Sequence, residues 1–310
     1  LLVLIKEKNQ DQYAFIKRVA ELQLGIQTVF CIQDEKRLTA FNAQAASNIA
    51  LKFNMRSAGV NHDLGTQGFA ALKTPNRLSN TIVLGADVTH PPTSSSPGTP
   101  SIAAVVGTTE DDFMHFPGSM RLQRGRQEDI VELGDMVKER LIDWAEKHEK
   151  RLPANMLFYR DGVSESQYER VRLYEIPQIQ QAYNWARDLT YVVVGKRHNT
   201  RFYALQAADA EVKKQPFNTC GNVRPGLVVD QVITHPHSLD FYLQSHQPII
   251  GTGRSAHYFT LTNNMQFTAD ELQKVTHDFC YAYARATKGV SYCAPAYYAD
   301  RLCDRGRAYL

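Results

Sequence analysis

The apolar residues of this chain follow two rhythms in turn. Leu1 to Lys6 and Thr28 to Ile32 are short apolar runs of strand length. Between them, Gln12 to Leu24 has helical spacing and stops at Gly25, where the left-handed conformation that closes a helix comes without steric cost. A second helix is predicted over Asn42 to Phe53, so the order is strand, helix, strand, helix, as in a small parallel α/β unit. Gly59 to Ser79 has turn residues and only weak periodicity, and reads as a connector.

From Thr81 the pattern changes. Three strand candidates come in succession: Thr81–Ala86, Ser101–Thr108 and Phe113–Leu122. A Pro- and Ser-rich loop, Pro91–Pro100, separates the first two. Ile130, Leu133, Val137, Leu141 and Trp144 recur at helical steps and predict a long amphipathic helix. Met156 to Tyr159 is a short buried strand running into Arg160-Asp161-Gly162. Ser164-x-x-Gln167 matches a capping box, and Pro177 predicts a break or kink in the helix it opens. Further strands are expected at Leu189–Val194, Leu227–Ile233 and His257–Thr262. Thr268-x-x-Glu271 opens a helix with Leu272, Val275, Phe279 and Tyr283 on one face, and a last helix is expected from about Ala296. Successive strands followed by alternating helices and strands predict an α/β fold, a mixed sheet with helices on its faces.

Composition narrows the class. With 310 residues, 43% apolar and 22% charged, the chain is long enough for two domains of globular type. No apolar run approaches the roughly 20 residues of a membrane span, and Leu1 to Ile5 is too short for a signal-peptide core. The five cysteines are odd in number and lack Cys-x-x-Cys spacing, which argues against a disulfide framework and a structural zinc site and fits a reducing, cytoplasmic setting. A net charge of +3 permits a nucleic-acid partner only if the basic residues cluster.

Four acids stand at telling places. Asp87 follows a buried strand, Asp161 ends another, Asp300 sits at the start of the last helix, and Glu128 lies where a loop becomes the long helix. Singly, each has an ordinary explanation: a turn residue, a helix-dipole partner or a solvated charge. As a set they could converge, and converging carboxylates repel one another unless cations lie between them. Hard oxygen donors suit Mg²⁺ or Mn²⁺, and two such ions about 4 Å apart serve phosphodiester displacement.

Longer motifs sharpen this. Gly85-Ala-Asp-Val-Thr-His-Pro91, Ser101-Ile-Ala-Ala-Val-Val-Gly107, Arg126-Gln-Glu128, Phe158-Tyr-Arg-Asp-Gly-Val-Ser-Glu165, Lys196-Arg-His198, Thr234-His-Pro236, Asp240-Phe-Tyr-Leu243, Ser255-Ala-His-Tyr258 and Pro295-Ala-Tyr-Tyr298 resemble, in order and spacing, the PIWI domain of eukaryotic Argonaute proteins. The residues before Thr81 resemble the later part of the Argonaute MID domain. The resemblance implies residues 1–64 as the end of a Rossmann-like MID domain, 65–80 as a connector, and 81–310 as an RNase H-like PIWI domain with helices on both faces. It implies that the chain is part of a longer protein.

The resemblance also implies guide-directed RNA cleavage, with Asp87, Glu128, Asp161 and Asp300 as the catalytic set. Asp87, Asp161 and Asp300 are the expected ligands of two Mg²⁺ or Mn²⁺ ions, and Glu128 the mobile fourth member. Asp300 departs from the His found at that place in animal slicing members. For the guide's 5′ phosphate and first base, the resemblance implies Tyr13, Lys17, Lys52, Arg56 and Arg305, with Arg56 standing where relatives usually have Lys. The family's phosphate-contacting Gln falls near Gln27-Thr28-Val29, with no assignment among these residues. Lys196, Arg197, His198, Arg254, Arg285, Ser291 and Tyr297 are expected to follow the guide backbone, because base pairing carries the sequence while protein reads shape. The implied partners are a small guide RNA with a 5′ phosphate, complementary target RNA and Trp-containing silencing proteins. The Cys31–Arg37 loop is expected to set the preference for the guide's first base. A guide-binding module that recruits proteins without cutting is the rival reading, and a guide-independent RNase H-fold nuclease a weaker third.

Overall fold

A computed structural model describes residues 1–32, 43–183, 188–206, 208–211, 221–249 and 251–310. Asn42 and most of the Cys31–Arg37 loop therefore lie outside the described residues. The first unit is as the apolar runs predict. Strand β1 (Leu2–Ile5) pairs in parallel with β2 (Val29–Ile32). Helix α1 (Gln10–Lys17) starts at Asn9, whose side chain accepts the Gln12 N–H, and continues as a π-helical turn over Arg18–Gln23. Gly25 takes φ +66° at the expected stop. Helix α2 (Ala43–Arg56) follows. Beyond it, Asn61 donates to the Ala284 carbonyl at 2.6 Å and His62 meets the Tyr281 carbonyl at 2.8 Å, which ties the connector to the second unit.

That unit is an eight-stranded sheet. Its strands are β3 (Thr81–Thr89), β4 (Ser101–Gly107), β5 (Gly118–Gln123), β6 (Asn155–Asp161), β7 (Asp188–Gly195), β8 (Leu227–Val229), β9 (Asp240–Gln244) and β10 (Ala256–Asn263). They lie in the order β5-β4-β3-β6-β7-β10-β9-β8. β3, β6 and β7 run parallel to one another and the remaining pairs are antiparallel.

Helices cover both faces, so the central strands are buried on both sides and read as continuous apolar runs. Their alternation still sorts the side chains. Ile82, Leu84, Met156, Phe158, Tyr191 and Val193 face helices α3 (Leu133–Lys147) and α4 (Tyr168–Ala182). Val83, Leu157, Tyr159, Val192 and Val194 face α5 (Ala269–Tyr281) and α6 (Ala294–Arg307). By the same parity Asp87 and Asp161 fall on the α6 side and Arg160 on the α4 side.

Several boundaries differ from expectation, each for a local reason. The β3–β4 ladder continues through Val88↔Ala103 and Thr89↔Ile102, so Asp87 lies within β3 and not beyond it. The apolar run from Phe113 is strand only from Gly118. Phe113 itself takes φ +58° and packs its ring against Phe69, plugging the core. Val232, at φ +70° and exposed, lies past the end of β8, which is shorter than predicted. β9 is a further strand, buried throughout, that periodicity does not reveal. α4 runs on through Pro177. α6 starts at Ala294 with Pro295 in its first turn, which puts Asp300 in mid-helix. Glu128 sits in the loop ahead of α3. The Pro91–Pro100 loop is closed by Arg307, which donates to the Thr89 and Pro100 carbonyls at 3.1 and 2.9 Å.

One close approach fixes α6 on the sheet. A Cβ on Gly85 would stand 2.1 Å from the Pro295 carbonyl oxygen, so strand and helix touch backbone to backbone. Gly85→Ala must push the helix away. We expect a loss of about 3 kcal/mol or more in stability, read as a lowered midpoint in urea unfolding.

Candidate active site and anion pocket

Strand alternation and the seat of α6 bring the four predicted acids to one place. Asp87, Glu128, Asp161 and Asp300 all line a single cleft of about 960 Å³. The chain turns sharply after Asp161 at Gly162, which takes φ +89°. A Cβ there would lie 3.3 Å from an Asp87 oxygen and 3.4 Å from a Glu128 oxygen, so both carboxylates lean over this backbone.

The acids raise one another's affinity for protons. Burial, then the neighbouring Asp300 and Glu128, pushes the Asp87 carboxyl up to about 6 against the pull of Arg160. Burial, then Asp87 and Asp300, pushes Asp161 up to about 8. Asp300 is held aside: its Oδ2 accepts from Arg301 at 2.6 Å and from the Tyr292 hydroxyl at 3.2 Å. Among the described residues, the one trio of candidate ligand atoms lying within 4.8 Å of one another is Glu110, Asp112 and His115, outside the cleft. The cleft acids do not meet that spacing. Three carboxylates from two strands and a helix are nonetheless a hard-oxygen donor set that fits Mg²⁺ or Mn²⁺.

Glu128 is positioned from below. Arg160, 0% exposed, donates to the Glu128 carbonyl at 2.7 Å and to its carboxylate at 3.1 Å. Arg160 is itself paired at 3.2 Å with Glu175 of α4, also 0% exposed. The Tyr191 hydroxyl and the Ile130 N–H donate to the same Glu175 carboxylate at 2.6 and 3.1 Å. From above, His90 bridges Ser101 and the Glu128 carboxylate, each at 2.8 Å. Glu175, Tyr191 and Tyr292 went unremarked in the sequence, while Arg160 and His90 stood there only as members of motifs. The period of two already placed Arg160 opposite Asp161, but nothing local announced that Glu175 would answer it across the core.

A basic wall completes the cleft. Lys196, Arg197, His198, Arg254, Ser291 and Tyr297 all line it. Lys196 donates to Ser291 and lies 5.3 Å from the Tyr292 ring centroid. His198 meets the Ser255 carbonyl at 2.9 Å and stands edge-on to Tyr242. Arg285, grouped with these in the sequence, is not among the cleft residues and is felt electrostatically by Lys52 and Tyr13.

The residues expected at the guide's 5′ end form a second cluster. Lys17 is buried and Tyr13, one turn earlier on α1, packs edge-on against Phe30. The unforeseen member is Glu21, whose side chain is 1% exposed. It accepts from Lys17 at 2.5 Å, Arg56 at 3.3 Å, Arg305 at 2.7 Å, the Tyr309 hydroxyl at 2.6 Å, and both the N–H and hydroxyl of Thr28 at 3.1 and 2.8 Å. These donors hold the Glu21 carboxyl down at about 2 against its burial. Its place four residues after Lys17, on the same helical face, was the available signal. Of Gln27-Thr28-Val29, both Gln27 and Thr28 bond into this cluster. The Gln27 side-chain oxygen accepts from Arg56 at 2.8 Å and Arg305 at 3.3 Å, placing Gln27 in the cluster with its amide N–H groups left to donate. The Lys52 ammonium has no hydrogen-bond or ion-pair partner among the described residues. Burial, then Arg285 and Arg56, pulls it down to about 8.

Known proteins fit this arrangement. The Piwi domain family matches residues 1–310. The structure superimposes on Kluyveromyces polysporus Argonaute, solved with a guide RNA, at TM-score 0.88 and 31% identity over 99% of this chain. The chain spans 35% of that protein's length. It matches the MID-PIWI domains of N. crassa QDE-2 at TM-score 0.61 and 25% identity, over 99% of this chain and 68% of that one. Drosophila Piwi shares the fold at TM-score 0.74 and 23% identity, over 98% of this chain and 39% of its own. The mixed sheet is thus the RNase H-like sheet of a Piwi domain, and the chain belongs to the Argonaute–Piwi family as a MID–PIWI region of eukaryotic type.

Proposed function

We propose that this region binds a small guide RNA by its 5′ phosphate and cleaves RNA paired to that guide. The observation that carries the reading is the convergence of Asp87, Glu128, Asp161 and Asp300 in one cleft whose opposite wall is basic. The relative from K. polysporus was solved with a guide RNA, which supports guide binding by this region.

The division of labour follows from the geometry. Asp87, Asp161 and Asp300 would hold the divalent ions, with Asp87 our choice for the ligand shared between two. Divalent ions bound there would activate the attacking water and offset charge on the leaving oxygen, giving 3′-hydroxyl and 5′-phosphate ends. Arg160 and His90 hold Glu128 toward the reacting centre from opposite sides. Lys196, Arg197, His198 and Arg254 offer the phosphate contacts that fix register without reading bases. Tyr13 supplies a stacking ring, and Lys17, Lys52, Arg56, Arg305 and Gln27 the donors, for a phosphorylated end.

The direct test is incubation of a protein containing these 310 residues with guide, matched RNA and Mg²⁺. Cutting opposite the guide is expected, and loading without cutting would leave the recruitment reading. Asp161→Ala should lower the cleavage rate by about 10³-fold or more while guide affinity is retained in a filter-binding assay. Protons compete with ions at raised carboxyls. Asp87, raised to about 6, is losing its proton around pH 6, and Asp161, raised to about 8, around pH 8. Mn²⁺ affinity, followed by electron paramagnetic resonance, should rise about tenfold or more across that window. Lys52 is charged below about pH 8 and neutral above it. Burial pulls Lys17 down to about 8 as well, so the affinity advantage of 5′-phosphorylated over 5′-hydroxyl RNA should shrink between pH 7 and pH 9, and Lys52→Arg should remove part of that slope.

A further inference from the structure

We infer that Glu21 is the positioning residue of the anion pocket, the buried counter-ion on which Lys17, Arg56 and Arg305 converge. The inference rests on reading that pocket as the seat of a 5′ phosphate. It adds a residue of the wrong charge to a site otherwise built to hold an anion.

Three cations from distant parts of the chain meet here: Lys17 at the end of α1, Arg56 at the end of α2 and Arg305 near the end of α6. Left to themselves they would splay apart by repulsion. The Glu21 carboxylate touches all three, at 2.5, 3.3 and 2.7 Å. A carboxylate at such a spot is either a competitor that the phosphate must displace or an anchor that stays in place.

The donor geometry favours the anchor. Each cation spends only part of its donor set on Glu21. Lys17 uses one N–H on Glu21 and one on the Thr28 carbonyl, and keeps a third. Arg56 bonds through Nη1 alone, to Glu21 and Gln27, and keeps Nε and Nη2. Arg305 bonds through Nε and Nη2 and keeps Nη1. The two carboxylate oxygens are themselves saturated, Oε1 by Lys17, Thr28 and Arg56, and Oε2 by Arg305 and the Tyr309 hydroxyl. Among the described residues Lys52 has no ion-pair partner, so the described part of the cluster carries more positive charge than negative. A group so buried and so fully bonded forms a floor, and the remaining donors face away from it toward an incoming ligand. Glu21 also ties α1 to α6 across 284 positions of sequence, so the pocket is assembled only when the two units are docked.

The test compares affinities for two RNA oligomers of one sequence, with a 5′ phosphate or a 5′ hydroxyl, by fluorescence anisotropy. Glu21→Gln keeps the side chain's shape and removes its charge. The ratio of the two affinities should fall about tenfold relative to wild type. Tyr309→Phe, which removes one donor to Glu21 and is a milder change, should lower the ratio roughly threefold. A ratio that rises in Glu21→Gln would make Glu21 a competitor, and an unchanged ratio in both variants a bystander. Either result overturns the inference. Wild-type protein with no preference for the phosphate would instead overturn the reading of the pocket itself.

Discussion

A guanidinium with no access to water constrains everything around it. Arg160 is placed on the α4 side of the sheet by the same alternation that puts Asp161 on the other, so the residue beside a site acid is forced into the core. Leaving such a charge unanswered would cost about 3–5 kcal/mol. Glu175 answers it, Tyr191 and the Ile130 N–H fill the remaining acceptor positions on Glu175, and the rest of the Arg160 fork goes to Glu128 and to the Asp161 carbonyl. The stability of the core and the placement of Glu128 are therefore one network. Strand β6, helix α4 and the loop ahead of α3 cannot shift independently without exposing an unpaired charge in an apolar layer.

The sheet separates two kinds of work by parity. One face packs aliphatic and aromatic side chains against α3 and α4 and hides the Arg160–Glu175 pair. The other carries Asp87 and Asp161 out from under α6, where solvent, ions and nucleic acid can reach them. Raised proton affinity at both carboxyls is the electrostatic signature of that placement: buried enough to be costly as anions, clustered enough to call for cations.

Much of this was legible in the residues. Apolar runs located the central strands β3, β4, β6 and β7, and capping boxes located the openings before α4 and at α5. The long motifs pointed to the four acids and to the basic wall. What escaped was set by contacts distant in sequence or by a conformation no local pattern encodes. The run at Phe113 had the apolarity of a strand, but its left-handed backbone turns that ring into a plug beneath Phe69 and Phe279. Pro177 signalled a helix break, yet α4 continues past it. Glu175 and Glu21 went unremarked because their partners lie on other elements.

Helix α6 rests on Gly85 with no side chain between them, and it carries Asp300 near its middle and Arg305 one and a half turns further on. At about 1.5 Å of rise per residue, the acid of the cleft and the cation of the anion pocket are rigidly linked along one short rod. The helix is thus a gauge between the two clusters: whatever displaces Arg305 along its axis displaces Asp300 by the same amount.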